Sequence, residues 1–82
     1  MPADQQPRVR REKRSGKIVT VIAGLDPVAN DLPAMLKVWR SSLGTGGTLD
    51  KANSQIELQG DHRDRLVALL LEKGFKAKAA GG

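Results

Sequence analysis

Residues 43–63 limit the folds open to this 82-residue chain more than any other segment. The segment reads Leu-Gly-Thr-Gly-Gly-Thr-Leu-Asp-Lys-Ala-Asn-Ser-Gln-Ile-Glu-Leu-Gln-Gly-Asp-His-Arg, with three glycines near its start. Glycine adopts backbone angles that other residues resist, so Gly44 predicts the C-terminus of a helix and Gly46-Gly47 a sharp entry into a strand. Asp61 can accept hydrogen bonds from free backbone amides, so it predicts the start of a second helix.

Between these two helices the sequence predicts a β-hairpin. Thr48–Asp50 and Gln55–Gln59 are its strands, and a tight polar turn at Lys51–Ser54 joins them. Asn53 tolerates the left-handed conformation that such a turn requires. The expected inward-facing side chains are Leu49, Ile56 and Leu58, and the expected outward-facing ones are Glu57 and Gln59.

A second hairpin is predicted near the N-terminus. Ile18–Ile22 is β-branched throughout, which is typical of a central strand buried on both faces. Residues 8–22 then form a hairpin that turns at Ser15-Gly16 and has a mobile basic tip at Arg11–Gly16.

Apolar residues at helical spacing predict the first helix, which Asn30 or Asp31 caps. Its stripe consists of Leu32, Met35, Leu36, Trp39 and Leu43. The second helix begins at Asp61, with Asp64 as a weaker form of the capping box, and stops at Gly74. A last strand follows, because Phe75, Ala77 and Ala79 alternate with Lys76 and Lys78.

The element order ββ-α-ββ-α-β predicts an α/β two-layer sandwich, a plait with two helices on one face of a mixed sheet. We expect a disordered lead at residues 1–7, a single domain at residues 8–80 and a tail at residues 81–82. The predicted core consists of Val19, Val21, Leu36, Trp39, Ile56, Leu58, Leu66, Leu70 and Phe75.

Composition excludes several classes of protein. The chain has no cysteine and one histidine, so disulfides and thiolate metal sites are excluded and no metal or cofactor is expected. Residues 1–7 lack the apolar region of a secretory signal, and no apolar run approaches the length of a membrane span. We therefore expect no membrane partner and a cytoplasmic location.

The positive charge is concentrated in residues 8–17. That segment has a net charge of +5, which equals the net charge of the whole chain. Local basic clusters attract polyphosphate backbones, so the segment predicts binding to RNA. A solvated basic arm with no dedicated partner is the alternative interpretation. The basic side chains are Arg8, Arg10, Arg11, Lys13, Arg14 and Lys17.

No set of residues predicts catalysis. His62 has no cysteine or second histidine to work with, and the nearest carboxylates, Asp61 and Asp64, are expected to be capping groups. Gly44–Gly47 also reads as the Gly-x-x-Gly of a KH domain, but a strand follows it here instead of a helix. It lacks the lysine of a P-loop. We expect a binding protein and not an enzyme.

Both aromatic residues, Trp39 and Phe75, fall on apolar faces and are expected in the core. Readers of single-stranded RNA use exposed aromatic residues, so their absence favours contact with the phosphate backbone of structured RNA. Arginine predominates in the basic segment, which suits bidentate phosphate contacts. Lys37 and Arg40 share an exposed helix face, which is either an ordinary solvated face or an extension of the basic surface.

The same residues carry a family resemblance. Gly-x-Gly-Gly-Thr at residues 44–48, a short hairpin, and Gln-Gly-Asp-x-Arg at Gln59–Arg63 resemble the core signature of the suppressor-of-initiation family. That family comprises eukaryotic translation initiation factor 1 and its small archaeal and bacterial relatives. The basic N-terminal run and Lys73-Gly74 add to the likeness, which extends from about Arg8 to Gly82.

The resemblance implies the same plait and a function in translation initiation. Members bind the small ribosomal subunit near the decoding site and influence start-site selection. It implies contacts to ribosomal RNA by the basic segment and by Lys37 and Arg40. It also implies that the loop carrying Lys51 and Asn53 faces the initiator tRNA, although this loop is shorter than in eukaryotic members. We expect a monomer.

Two other functional classes remain open on the sequence alone. A general binder of structured RNA or other nucleic acid would use the same basic segment without ribosome specificity. A protein-interaction module would use the exposed face of the sheet near Glu57 and Gln59.

Overall fold

A five-stranded mixed sheet, covered on one face by two helices, organises residues 5–80, the part of the chain that the computed structural model describes. The strand order is β3-β4-β2-β1-β5, and among the strands of these residues only the β1–β5 pair is parallel. This arrangement confirms the predicted α/β sandwich. The elements are β1 (Arg8–Arg14), β2 (Lys17–Ala23), α1 (Leu32–Leu43), β3 (Gly47–Asp50), β4 (Gln55–Gln59), α2 (Arg63–Glu72) and β5 (Lys78–Ala80).

The β1–β2 hairpin is closed by a turn of two residues. Pairing continues to Arg14 opposite Lys17, and Ser15 and Gly16 both have positive φ, 50° and 80°. Positive φ at both central residues is the pattern of a type I′ turn, whose twist matches that of the flanking strands. The turn is therefore where the sequence predicts it. The turn is shorter than the tip predicted at Arg11–Gly16, because Arg11–Arg14 belong to the paired strand.

The core lies between the helices and one face of the sheet. Trp39 is 2% exposed and packs there with apolar residues of both helices and of the sheet. Seven of the nine predicted core residues are buried; Leu36 and Val19 are half-buried. Val19 and Val21 lie on the opposite face from the helices, because side chains alternate along β2. The core cluster consists of Val9, Ile22, Leu25, Leu32, Trp39, Ile56, Leu58, Leu66, Leu70, Phe75 and Ala77.

The ends of α1 follow the predicted capping pattern. The Asp31 carboxylate accepts a hydrogen bond from the backbone N–H of Ala34 at 3.1 Å. Gly44 ends the helix in the left-handed conformation, with φ of 62°. Gly47 then enters β3 so close to β4 that a Cβ atom on it would lie 2.6 Å from the Glu57 carbonyl oxygen. Only glycine fits there without a shift of the backbone.

Two local predictions are wrong. In the β3–β4 turn, Ser54 and not Asn53 takes positive φ, and Asn53 instead bonds through its amide groups to the Asp50 carboxylate. The α2 helix begins at Arg63, so Asp61 precedes its N-cap, His62, which makes no side-chain capping bond. One Asp61 carboxylate oxygen ion-pairs with Arg11, while the other accepts a hydrogen bond of 3.4 Å from the N–H of Arg63, the first residue of the helix.

The segment before β1 is attached to the domain. The Gln5 side chain accepts hydrogen bonds from the Asp26 N–H and from the Asn30 amide, and the Gln5 carbonyl accepts one from the Lys76 N–H. Residues 5–7 thus differ from the disordered lead predicted for residues 1–7. Residues 1–4 of that lead and the predicted tail at residues 81–82 lie outside the described part of the chain. The final strand is shorter than predicted, because β5 begins only at Lys78. Phe75 and Ala77 are buried, but they precede this strand.

Thr20 is the one buried polar side chain among residues 5–80. Its hydroxyl donates to the Gly60 carbonyl at 2.7 Å and accepts from the His62 N–H at 2.9 Å. The central strand is thereby joined to the residues that lead into α2. Neither helix in the described residues is long and apolar enough to cross a membrane.

Replacing Thr20 with valine should lower the free energy of unfolding by about 1–3 kcal/mol. The valine keeps the shape but leaves the Gly60 carbonyl and the His62 N–H without their partner. Urea unfolding measures the change. Thr48→Val, at an exposed position of β3, is the matched control. Equal stability of the parent and the Thr20 variant would show that the hydroxyl does not anchor this segment.

Replacing Trp39 with alanine should cost about 3–5 kcal/mol, because it leaves a large cavity in a small core. Val38→Ala, at a neighbouring side chain that is 52% exposed, should cost far less. Both values come from the same unfolding experiment. A loss under about 1 kcal/mol for the Trp39 variant would mean that the indole does not support the core.

Candidate nucleic-acid interface

The alternation of β1 divides the basic segment between the two faces of the sheet. Val9 lies on the helix-covered face, so Arg11 and Lys13 point to that side, beyond the apolar core. Arg8, Arg10 and Arg14 point to the other face, which we call the open face, together with Lys17 of β2. The sequence predicts these residues as one basic group, whereas the structure distributes them over two surfaces that meet at the turn.

Carboxylates hold two arginines of the open face, Arg10 and Arg14, in place. Arg14 bonds to Glu57 at 2.7 Å and to Glu12 at 2.9 Å, and Arg10 contacts Glu12 at 3.3 Å. Because β2 lies between β1 and β4, the Arg14–Glu57 pair crosses β2. The hydrogen bond from Arg14 lowers the pKa of Glu12, and the hydrogen bond to Glu57 raises the pKa of Arg14. Glu12 and Arg14 therefore both stay charged near neutral pH.

On the helix-covered side, Arg11 reaches Asp61 at 2.9 Å. The hydrogen bond from Arg11 lowers the pKa of the Asp61 carboxyl, and a weaker bond from the Arg63 N–H adds to the effect. The pair ties β1 to the start of α2, where Arg63 also contributes positive charge. In the sequence Arg63 stands out only as part of the family motif, because the fold alone brings it close to Arg11 through their shared contact with Asp61.

One end of the sheet gathers most of the predicted RNA-binding residues. We call it the hairpin end: it holds the Ser15-Gly16 turn, the start of β3, the end of β4 and the start of α2. Lys37 and Arg40 reach it from α1, where they line an open groove of about 370 Å³ with Gly44–Gly46.

A hydrogen-bonded strand end connects that groove to the basic hairpin. The Gly46 carbonyl accepts from the Gln59 N–H at 2.9 Å, and the Gln59 carbonyl accepts from Thr45 Oγ1 at 2.6 Å. Gln59 in turn lines a pocket with Arg14 and Lys17. The structure therefore places Lys37 and Arg40 at the same end of the sheet as Arg14 and Lys17. The sequence alone leaves open whether these two helix residues extend the basic surface.

His62 has a structural position at this end. Its Nε2 lies 2.8 Å from the Gln59 carbonyl oxygen, which requires that nitrogen to carry the proton. Its backbone N–H donates to Thr20. Both contacts fix the segment between β4 and α2. No cluster of three or more histidine or acidic side chains suited to a metal ion occurs among residues 5–80.

The predicted tRNA-facing residues lie at the opposite end of the sheet. Lys51 and Asn53 belong to the β3–β4 turn, and both are exposed. Hydrogen bonds from Asn53 lower the pKa of Asp50 and hold the turn in one shape. Beside it lies an open groove of about 520 Å³ between the turn and residues 27–33. These two residues are therefore separated from the basic hairpin end by the length of the strands.

Comparison with known proteins identifies the family of this chain. A profile of the family described as translation initiation factor SUI1 matches residues 3–76. A "Protein translation factor SUI1 homolog" of Methanoregula boonei is 47% identical over 79 residues, covering 93% of this chain and 76% of the relative. The homolog of the same description in Pyrococcus furiosus is 49% identical over 72 residues, covering 87% and 71%.

A bacterial relative also matches. An uncharacterised protein of Synechocystis sp. is 43% identical over 83 residues, covering 99% of this chain and 73% of the relative. With the family profile spanning most of the sequence, these matches confirm the resemblance carried by Gln59–Arg63 and the glycine cluster. The chain belongs to the SUI1 translation initiation factor family.

Proposed function

We propose that this protein binds the RNA of the small ribosomal subunit near the decoding site, through its hairpin end, and influences start-site selection. Membership of a translation initiation factor family supports a role in initiation. The observation that carries the finer proposal is the convergence of basic side chains at one end of the sheet, reached from β1, β2 and α1.

The charges of the hairpin end suit a structured RNA backbone. Arginine and lysine neutralise phosphates and release condensed counterions, which makes such binding strong and salt-dependent. Ion pairs to Glu12, Glu57 and Asp61 hold three of the arginines in defined positions before RNA arrives. Phosphate oxygens then meet pre-positioned guanidinium groups, and the entropic cost of ordering long side chains is reduced. The proposed contacts at the hairpin end are Arg11, Lys13, Arg14, Lys17, Lys37 and Arg40, and Arg8 and Arg10 extend the proposed contact along β1 away from the turn.

The opposite end has a separate role in this proposal. With the hairpin end on ribosomal RNA, the turn carrying Lys51 and Asn53 points away from that contact and faces the initiator tRNA. The protein works as a cytoplasmic monomer whose single domain spans residues 8–80. It acts by binding and not by catalysis; the fixed, hydrogen-bonded position of His62 supports this assignment.

Neutralising four basic residues of β1 should weaken binding to vacant small ribosomal subunits at least a hundredfold. The variant carries Arg10→Gln, Arg11→Gln, Lys13→Gln and Arg14→Gln. If the parent neutralises four to six phosphates, its log–log salt slope should be roughly −3 to −5, and the variant's slope should be shallower. Glutamine keeps aliphatic cover over β2, and exposed ion pairs contribute little to stability, so thermal unfolding should change little.

A matched variant separates position from net charge. Changing Lys51, Lys73, Lys76 and Lys78 to glutamine removes the same charge from exposed positions away from the hairpin end; Lys78 lies beside Arg8, at the end of β1 far from the turn. It should bind vacant subunits nearly as the parent does. Equal weakening by both variants would contradict the assignment of the interface. Equal affinity of the parent for subunits, naked structured RNA and DNA would favour a general nucleic-acid binder instead.

A further inference from the structure

We infer that the open face of the sheet carries a pocket for one unpaired nucleotide of RNA, formed at the hairpin end by Arg14, Lys17, Val19 and Gln59. The inference rests on the proposed function, because it takes RNA as the partner. The proposed function involves only contacts between basic side chains and phosphates. The pocket would add a contact with a base.

The floor of the pocket is apolar. The pocket has a volume of about 430 Å³, within the range of small-ligand sites, and Ile18 and Gly60 complete its lining. Val19 lies on the open face of the central strand, flanked by Glu12 on β1 and Gln59 on β4, and it is only half-buried. A partly exposed β-branched side chain on a pleated surface offers a flat apolar contact to the face of a base.

Arg14 forms one wall with a fixed orientation. Two nitrogens of its guanidinium bond to the two carboxylate oxygens of Glu57, at 2.7 and 3.3 Å, and one of them also bonds to Glu12 at 2.9 Å. These contacts fix the guanidinium plane where it crosses β2, although 44% of the side chain remains exposed. RNA-binding proteins stack unpaired bases on such planes as well as on aromatic rings.

Gln59 supplies the group that can read a base edge. Three hydrogen bonds fix its main chain: its N–H donates to the Gly46 carbonyl, and its carbonyl accepts from the Thr45 hydroxyl and from His62 Nε2. Within residues 5–80 its exposed carboxamide makes no hydrogen bond; it lies against Gly46, where an added Cβ would be 3.4 Å from the carboxamide carbon. A carboxamide offers both a donor and an acceptor, which is the complement that base edges require.

Lys17 completes the match to a nucleotide. It lines the same pocket and lies beside the turn, with Lys13 on the other face of the hairpin. A phosphate attached to a base on Val19 would therefore meet positive charge at the pocket rim. An apolar floor, a guanidinium plane, a carboxamide and a cation together suit a nucleotide extruded from a helix better than a fully paired backbone.

The test compares two RNA duplexes that differ only by a single-nucleotide bulge. The parent should bind the bulged duplex at least fivefold more tightly than the fully paired one. Gln59→Ala should abolish this preference while leaving the affinity for the paired duplex and the salt slope unchanged, because a base contact neutralises no phosphate. Val19→Thr, which keeps the side-chain shape but replaces a methyl group with a hydroxyl, should reduce the preference. Thermal unfolding of each variant checks the fold.

Gln55→Ala is the matched control, since Gln55 lies on the same strand and the same face but at the other end. It should keep the bulge preference. Equal binding of both duplexes by the parent, or equal loss with Gln55→Ala, would overturn the pocket. The proposed function would survive that result if small subunits still bind through the basic residues of β1. Failure of the parent to bind subunits or RNA would overturn both.

Discussion

The register of the β1–β2 hairpin is the constraint on which the functional surface depends. Ser15 and Gly16 close the hairpin with two residues, so the side chains of β1 have only one arrangement over the two faces. A slip of one residue would exchange the faces, move Val9 out of the core and bring Arg8 or Arg10 into it. Burial of Val9 beside Ile22 therefore fixes which arginines meet Glu12 and Glu57 and which one meets Asp61.

A second link couples the core to the hairpin end. The Thr20 hydroxyl, buried in the central strand, bonds to Gly60 and His62, and His62 bonds back to Gln59. The end of β4 and the start of α2 are thus held by interactions that depend on an intact sheet. The Gln59–Arg63 family motif shapes this corner, and its side chains also reach the surface on which we propose RNA to bind.

Much of the fold could be predicted because the relevant signals are local. Asp31, Gly44 and the β-branched run of β2 each act within a few residues. The structure confirms the two helix ends and the central position of β2, but Ile18 at the start of this strand is exposed and Val19 is half-buried, unlike the predicted burial on both faces. The Asn53 error is local, because Asp50, three positions earlier, engages its amide groups. The other errors arise where residues distant in sequence determine the structure. The sequence predicts Asp61 as the first residue of α2, but the helix begins at Arg63, and Arg11, fifty positions before Asp61, engages one of its carboxylate oxygens while the other accepts from the Arg63 N–H. The division of the arginines between the two faces likewise depends on which side of β1 the helices cover. The closeness of Gly46 to Gln59 depends on the pairing of β3 with β4.

Directed hydroxyl-radical probing on vacant small ribosomal subunits tests the account most directly. The sequence has no cysteine, so single cysteines can carry an iron chelate at Ser41, beside Arg40 at the hairpin end, or at Ala52, at the opposite end. We predict strong cleavage of ribosomal RNA near the decoding site from position 41 and much weaker cleavage from position 52. Stronger cleavage from position 52, or cleavage from neither position by bound protein, would contradict RNA binding through the hairpin end.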